Sequence, residues 1–123
     1  MQDGRRRTVG VVDDDAAVRD SLRFLLEAAG FSVVTFSSAQ QFFTATDPDG
    51  IACLLVDQHM PETTGLDMLR RLQRTGQTLP VALMTGSPSA RLMLRARELG
   101  AVAVLEKPLT DQALFQFIEQ ATG

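Results

Sequence analysis

Apolar runs and amphipathic stretches alternate along the chain with a period of roughly twenty residues. Val9-Gly10-Val11-Val12 is apolar throughout and stops abruptly at Asp13-Asp14-Asp15, the pattern of a strand covered on both faces. Val18, Leu22, Leu25 and Ala29 then recur at helical spacing, with Gly30 as the stop. Residues 32–36 are rich in β-branched side chains and predict a second strand. Ser38, followed three residues later by Gln41, has the form of a capping box for a short helix carrying Phe42 and Phe43. Asp47-Pro48-Asp49-Gly50 is a turn signal. Residues 51–56 are the most apolar run and predict a central strand that ends at Asp57. After the loop Met60-Pro61-Glu62-Thr63-Thr64-Gly65, the spacing of Leu66, Leu69 and Leu72 predicts a helix to Thr75. A fourth strand is predicted over 80–84, ending at Thr85-Gly86, and a helix over 89–99 closed by Gly100. A fifth strand over 102–105 ends at Glu106-Lys107-Pro108. Thr110 then caps a last helix that presents Leu114, Phe117, Ile118 and Ala121 on one face.

Strands alternating with helices through short connections imply a parallel sheet with helices on both faces. The expected fold is α/β: a single (βα)5 flavodoxin-like three-layer sandwich with a five-stranded parallel sheet of order 2-1-3-4-5. The 123 residues suit one domain, and a domain of that size buries about two-thirds of its unfolded surface. The chain divides into a basic tail, 1–7, and a folded unit, 8–121.

Composition narrows the function. Hydrophobic residues make up 45% and charged residues 22%, as in an ordinary globular protein. The net charge is −3, the wrong sign for neutralising nucleic-acid phosphates, so no direct nucleic-acid binding is expected. Arg5-Arg6-Arg7 is the exception, read as a solvated tail with a small-anion contact as the alternative. The apolar runs fall well short of the roughly 20 residues that span a bilayer, and no leader pattern follows Met1. A lone cysteine, Cys53, fits a reducing, cytoplasmic setting and excludes disulfide scaffolds and cysteine-rich zinc modules. Of the 12 basic residues only Lys107 is a lysine, a compact point charge among guanidinium groups.

Polar residues close the strands: Asp13 and Asp14 after the first, Asp57 after the third, Thr85 after the fourth, Lys107 after the fifth. Open parallel sheets bind ligands beyond the carboxyl ends of their strands, where the strand order reverses. For order 2-1-3-4-5 that crevice lies between the first and third strands. Three carboxylates gathered there repel one another unless a divalent cation sits among them, and oxygen donors suit Mg²⁺. A carboxylate nucleophile with a metal, an ammonium and a hydroxyl has the parts for phosphoryl transfer.

The segments Val11-Val12-Asp13-Asp14-Asp15, Val56-Asp57-Gln58-His59-Met60-Pro61 with Gly65, Met84-Thr85-Gly86 and Glu106-Lys107-Pro108 resemble the response-regulator receiver domain. That domain is the phosphoacceptor half of two-component signalling, and the resemblance runs over 8–121. It implies that Asp57 is the phosphorylated residue, with Asp14 ligating Mg²⁺ directly and Asp13 doing so directly or through water. The backbone carbonyl of His59 would be a further metal ligand. Thr85 would be the switch hydroxyl and Lys107 the phosphate-contacting cation, aimed in part by a cis bond to Pro108. The side chains of His59 and Ser87 would lie over the site entrance, where the former position tunes phosphoryl lifetime. Implied partners are a sensor histidine kinase or histidine phosphotransfer protein, an output domain or effector protein, and a phosphorylation-dependent second copy. Arg91 and Arg95 lie on the surface that the family uses for partners. Transcription regulation would follow if the chain is part of a longer regulator. An enzyme acting on external substrates is not expected, only self-directed transfer and slow autodephosphorylation.

Two positions depart from the family pattern. Val104 stands where many receivers carry an aromatic that swings with the threonine. Pro88, expected at an early helical position, restricts the loop after Thr85. A reduced or atypical shape change is therefore expected, with the phosphorylation chemistry kept. His59 lacks the His or Cys partners of a transition-metal site, and Cys53, Met60, Met84 and Met93 are expected to pack in the core. The competing readings are a receiver that binds partners without phosphorylation and a small aspartyl-phosphate phosphatase. A flavin carrier is disfavoured because three aspartates would repel the flavin phosphate.

Overall fold

The computed structural model describes residues 7–45 and 50–122. Strand β1 (Thr8–Val12) leads into helix α1 (Ala16–Ala28), β2 (Ser32–Phe36) into α2 (Ala39–Phe43), and β3 (Cys53–Asp57) into α3 (Gly65–Thr75). The chain ends with β4 (Val81–Thr85), α4 (Ala90–Glu98), β5 (Ala103–Glu106) and α5 (Asp111–Thr122). All strand pairs are parallel and the order is β2-β1-β3-β4-β5, as the alternation of elements requires.

Side chains alternate across the sheet, and this divides the core in two. Val12, Leu54, Val56, Val81 and Leu83 pack towards α2, α3 and α4. Val9, Val11, Cys53, Leu55, Ala82 and Met84 pack towards α1 and α5. Both faces of β3 and β4 are fully covered, which is why these strands read as continuous apolar runs. Deleting one such leucine side chain costs about 3 kcal/mol.

The helix ends follow the expected chemistry. Asp15 caps α1 by accepting from Ala17 N–H, and Thr64 with Asp67 forms a reciprocal capping box on α3. Ser38 caps α2 by accepting from Gln41 N–H, but the Gln41 side chain bonds Ser37 rather than Ser38. Thr110 accepts from Ala113 N–H at the start of α5. Gly30 and Gly100 close their helices at φ 98° and 96°, a region that glycine enters without strain.

Three expectations are corrected. Ala29 is exposed and Leu26 takes its place in the core, because the buried stripe of α1 runs through Leu22 and Leu26 at a spacing of four. Pro88 lies outside α4: Ser89 is the cap, accepting from Leu92 N–H, so Pro88 precedes the helix instead of opening it. Met93 is 50% exposed, whereas Met60 and Met84 are buried as expected. The turn residues Asp47, Pro48 and Asp49, and Arg5 and Arg6, lie outside the described residues. Arg7 is joined to the fold: its carbonyl accepts from Ser32 N–H and its guanidinium donates to Thr122. Among the described residues no helix is long and apolar enough to cross a membrane.

Candidate functional site

The backbone ladders continue one rung past the strands and hold the polar residues at their ends. Asp13 N–H donates to Phe36, Gln58 N–H to Met84 and Lys107 N–H to Thr85. The alternation that sorts the core also aims the side chains. Asp13 follows Val11, Asp57 follows Leu55 and Lys107 follows Leu105, all on the α1/α5 side of the sheet. Thr85 has the opposite parity, in step with Leu83.

Asp13, Asp14 and Asp57 accordingly converge, with one carboxylate oxygen from each lying within 4.8 Å of the others. Asp13 and Asp57 are buried, and Asp14 is exposed. Lys107 Nζ stands 3.0 Å from both Asp13 Oδ2 and Asp57 Oδ1. Burial holds the Asp13 carboxyl above the ordinary carboxylate range, and the charge of Asp57 adds to this against the opposing bonds from Asp15 N–H and Lys107. Burial pulls the Lys107 ammonium down, but its bonds to Asp57 and Asp13 outweigh this and hold it above the ordinary lysine value. One ammonium cannot offset three carboxylates. The hard oxygen donors and residual negative charge of the cluster make it able to hold a metal ion.

Thr85 Oγ1 accepts from Ser87 N–H at 3.0 Å and lies 3.3 Å from His59 Nε2. The sequence-derived residues Asp13, Asp14, Asp57 and Lys107 thus form one cluster, and Thr85 and His59 form an adjoining pair. Beside the cluster, an apolar hollow of about 540 Å³ is lined by Leu22, Leu25, Met84, Leu109 and Leu114, and Lys107 stands on its border. None of the three aspartates lines it. The Lys107–Pro108 peptide is cis.

Two residues that the sequence reading did not single out support the site. Gln58 Oε1 accepts from Leu66 N–H and its carbonyl from Gly65 N–H, tying the start of α3 to the end of β3. Arg19 donates to the main-chain carbonyl of Asp13 at 2.7 Å. A cation in the first turns of α1, against the helix dipole, was a legible signal for Arg19. Nothing in the sequence marks Gln58, whose role exists only because α3 approaches β3.

Comparison with known proteins decides the family. The model of the response regulator receiver domain matches residues 9–119. The chain belongs to the response-regulator receiver family. A receiver domain is a signalling phosphoacceptor rather than an enzyme, and the acidic pocket of Asp13, Asp14 and Asp57 with Lys107 is the site of that role here. The transcriptional regulatory protein FixJ of Bradyrhizobium diazoefficiens is 43% identical over 111 residues, covering 90% of this receiver and 54% of FixJ. The crystal structure of FixJ-N superposes with a TM-score of 0.84 at 36% identity, covering 99% of this chain and 95% of that one. The response regulator StyR gives a TM-score of 0.87 at 37% identity, over 96% of this chain and 60% of that one. The receiver therefore spans about half the length of the curated relatives it matches.

Proposed function

We propose that Asp57 takes a phosphoryl group from a sensor histidine kinase, a histidine phosphotransfer protein or a small phosphodonor. The observation that carries this reading is the position of Asp57 on the central strand. Its neighbour β1 brings Asp13 and Asp14 to one side, and β4 brings Thr85 to the other. Asp13 is fully buried and both of its oxygens are engaged, by Asp15 N–H and by Lys107, so it is a poor nucleophile. Asp14 is exposed and lies on the far side from Thr85.

Mg²⁺ fits the donor set, with Asp13, Asp14, Asp57 and the His59 carbonyl as the protein ligands. When bound, it supplies charge stabilisation for the oxygens of the transferred group. The Asp57 carboxylate attacks phosphorus while the bond to the donor breaks and the leaving group takes the electron pair. Lys107 holds the acceptor and partners one phosphoryl oxygen, and Thr85 donates its hydroxyl to another. Val104 is half-buried against the α3/α4 side of the core, where a valine has little area to redeploy. The accompanying shape change is correspondingly small.

The longer relatives named as transcriptional regulators support an output in transcription, and a single, unpaired cysteine supports a cytoplasmic setting. Partner contact, including a second phosphorylated copy, falls on α4, β5 and α5. Arg91 is exposed there, while Arg95 is committed to Glu98 at 3.0 Å. Incubation with acetyl phosphate and Mg²⁺, followed by intact mass measurement, tests the site. One phosphoryl group is expected on the wild type and none on Asp57→Asn. Uptake by the variant at the wild-type level would overturn the assignment.

A further inference from the structure

Asp13 is anchored through its main chain and its side chain alike. Its N–H donates to Phe36, its Oδ1 accepts from Asp15 N–H and its Oδ2 from Lys107. The remaining group, its carbonyl, accepts the Arg19 guanidinium at 2.7 Å, a short charge-assisted bond. This carbonyl belongs to the peptide that joins Asp13 to Asp14, so whatever holds it also orients Asp14. Asp13 is fully buried, and its carbonyl at the strand end needs a partner.

Arg19 is an unexpected residue at this place. It is the fourth residue of α1, where the helix dipole disfavours a cation, and the half-buried residue reaches back six positions to the Asp13 carbonyl. A local preference broken without a local gain marks a residue kept for its tertiary contact. We propose that Arg19 is a positioning residue for cation binding, holding the Asp13–Asp14 peptide so that both carboxylates face the ion without reorganisation. This inference rests on the reading of the acidic cluster as the divalent-cation site.

Two effects of Arg19 oppose each other, and that makes the sign of the result decisive. Its positive charge repels an incoming cation, so removing the charge alone would tighten binding. Its hydrogen bond preorganises two ligands, so removing the bond weakens binding. Partners that orient metal ligands are worth roughly ten- to a hundred-fold in affinity.

The experiment titrates Mg²⁺ alone, with no phosphodonor, into metal-free wild type, Arg19→Gln and Arg19→Lys, and follows the amide resonances of Asp14, Asp15 and Asp57. Thermal unfolding of each metal-free protein accompanies it. We expect Mg²⁺ affinity to fall about tenfold in Arg19→Gln and less in Arg19→Lys, which keeps a charge and a donor but not the planar fork. The metal-free Asp14 amide should shift in both variants. Arg19→Gln binding Mg²⁺ as tightly as the wild type, or more tightly, overturns the inference. Should Arg19→Gln not fold, an unchanged affinity in Arg19→Lys overturns it equally. A wild type that takes up no Mg²⁺ overturns the cation-site reading itself and this inference with it. Wild-type binding that both variants match removes only the role of Arg19.

Discussion

His59 Nε2 lies 3.3 Å from Thr85 Oγ1, on the side of the acceptor strand away from Asp13. Thr85 Oγ1 also accepts from Ser87 N–H, so the hydroxyl that is proposed to meet a phosphoryl oxygen is already engaged in the resting protein. Breaking a hydrogen bond of this kind costs roughly 1 kcal/mol. His59→Ala should therefore take up phosphoryl groups from acetyl phosphate about threefold faster than the wild type, a change within that range. Time-resolved intact mass spectra supply the rate. An unchanged or slower rate would mean that the contact does not oppose the movement of Thr85.

Asp13 gives the metal-free protein a defined pH dependence. Burial raises its pKa above the ordinary 3.8, so the folded state holds a proton more readily than the unfolded state does. That contribution to stability is fully present below 3.8 and is lost as pH rises through the raised value. At neutral pH the charged Asp13 is therefore a net cost in the absence of a cation. Asp13→Asn should unfold at a temperature higher by on the order of a few degrees at pH 7 in chelator, with the gain shrinking on acidification. Differential scanning calorimetry across that window gives the answer, and a lower neutral midpoint in Asp13→Asn counts against the account.

Lys107 shares that direction with pH but stabilises the fold at neutral pH, where Asp13 does not. Its pKa lies above the ordinary 10.5, so the stability it contributes is complete below 10.5 and fades as pH climbs through the raised value. Lys107→Met leaves Asp13 and Asp57 without their shared partner and should cost about 2–3 kcal/mol at pH 7. Added Mg²⁺ should restore part of that loss. Urea titration with and without the cation measures both quantities.

Gly65 is required by space. A Cβ built there would stand 2.9 Å from the Asp57 carbonyl oxygen and 3.1 Å from Gln58 Cα, backbone atoms that cannot give way. Gly65→Ala should lose about 2 kcal/mol as α3 is pushed off the end of β3. Phosphoryl uptake should fall with it, because the displaced backbone carries Asp57. Chemical denaturation and acetyl phosphate assays on the same sample test the coupling, and a destabilised variant with normal uptake would separate the two.

Cys53 is fully buried in β3, and burial pushes its thiol up to about 11. It should resist thiol reagents in the native protein and react at the rate of unfolding. Labelling faster than unfolding, measured against denaturant jumps, would show that the central strand opens on its own.

The strand-end aspartates, Thr85 and Lys107 were legible in the sequence because a parallel sheet covered on both faces makes its strands apolar and its ends conspicuous. Arg19 was half legible, as a cation where the helix dipole disfavours one. Met93 misled because residue type alone cannot tell a buried methionine from one on the solvent side of α4. Pro88 misled because a cap one residue later moves it outside the helix.

The linear order of residues by itself determined the βα alternation, the caps at Ser38 and Thr110, and which polar side chains end the strands. These depend on local backbone preference and on the two-residue alternation of a strand. The tertiary structure alone decided that Lys107 bridges Asp13 and Asp57, that His59 engages Thr85, and that Arg19 and Gln58 brace the site. The first two contacts join residues 94 and 26 positions apart and exist only once the sheet has set its strands in register, whereas those of Arg19 and Gln58 need α1 and α3 to fold back on the strands before them.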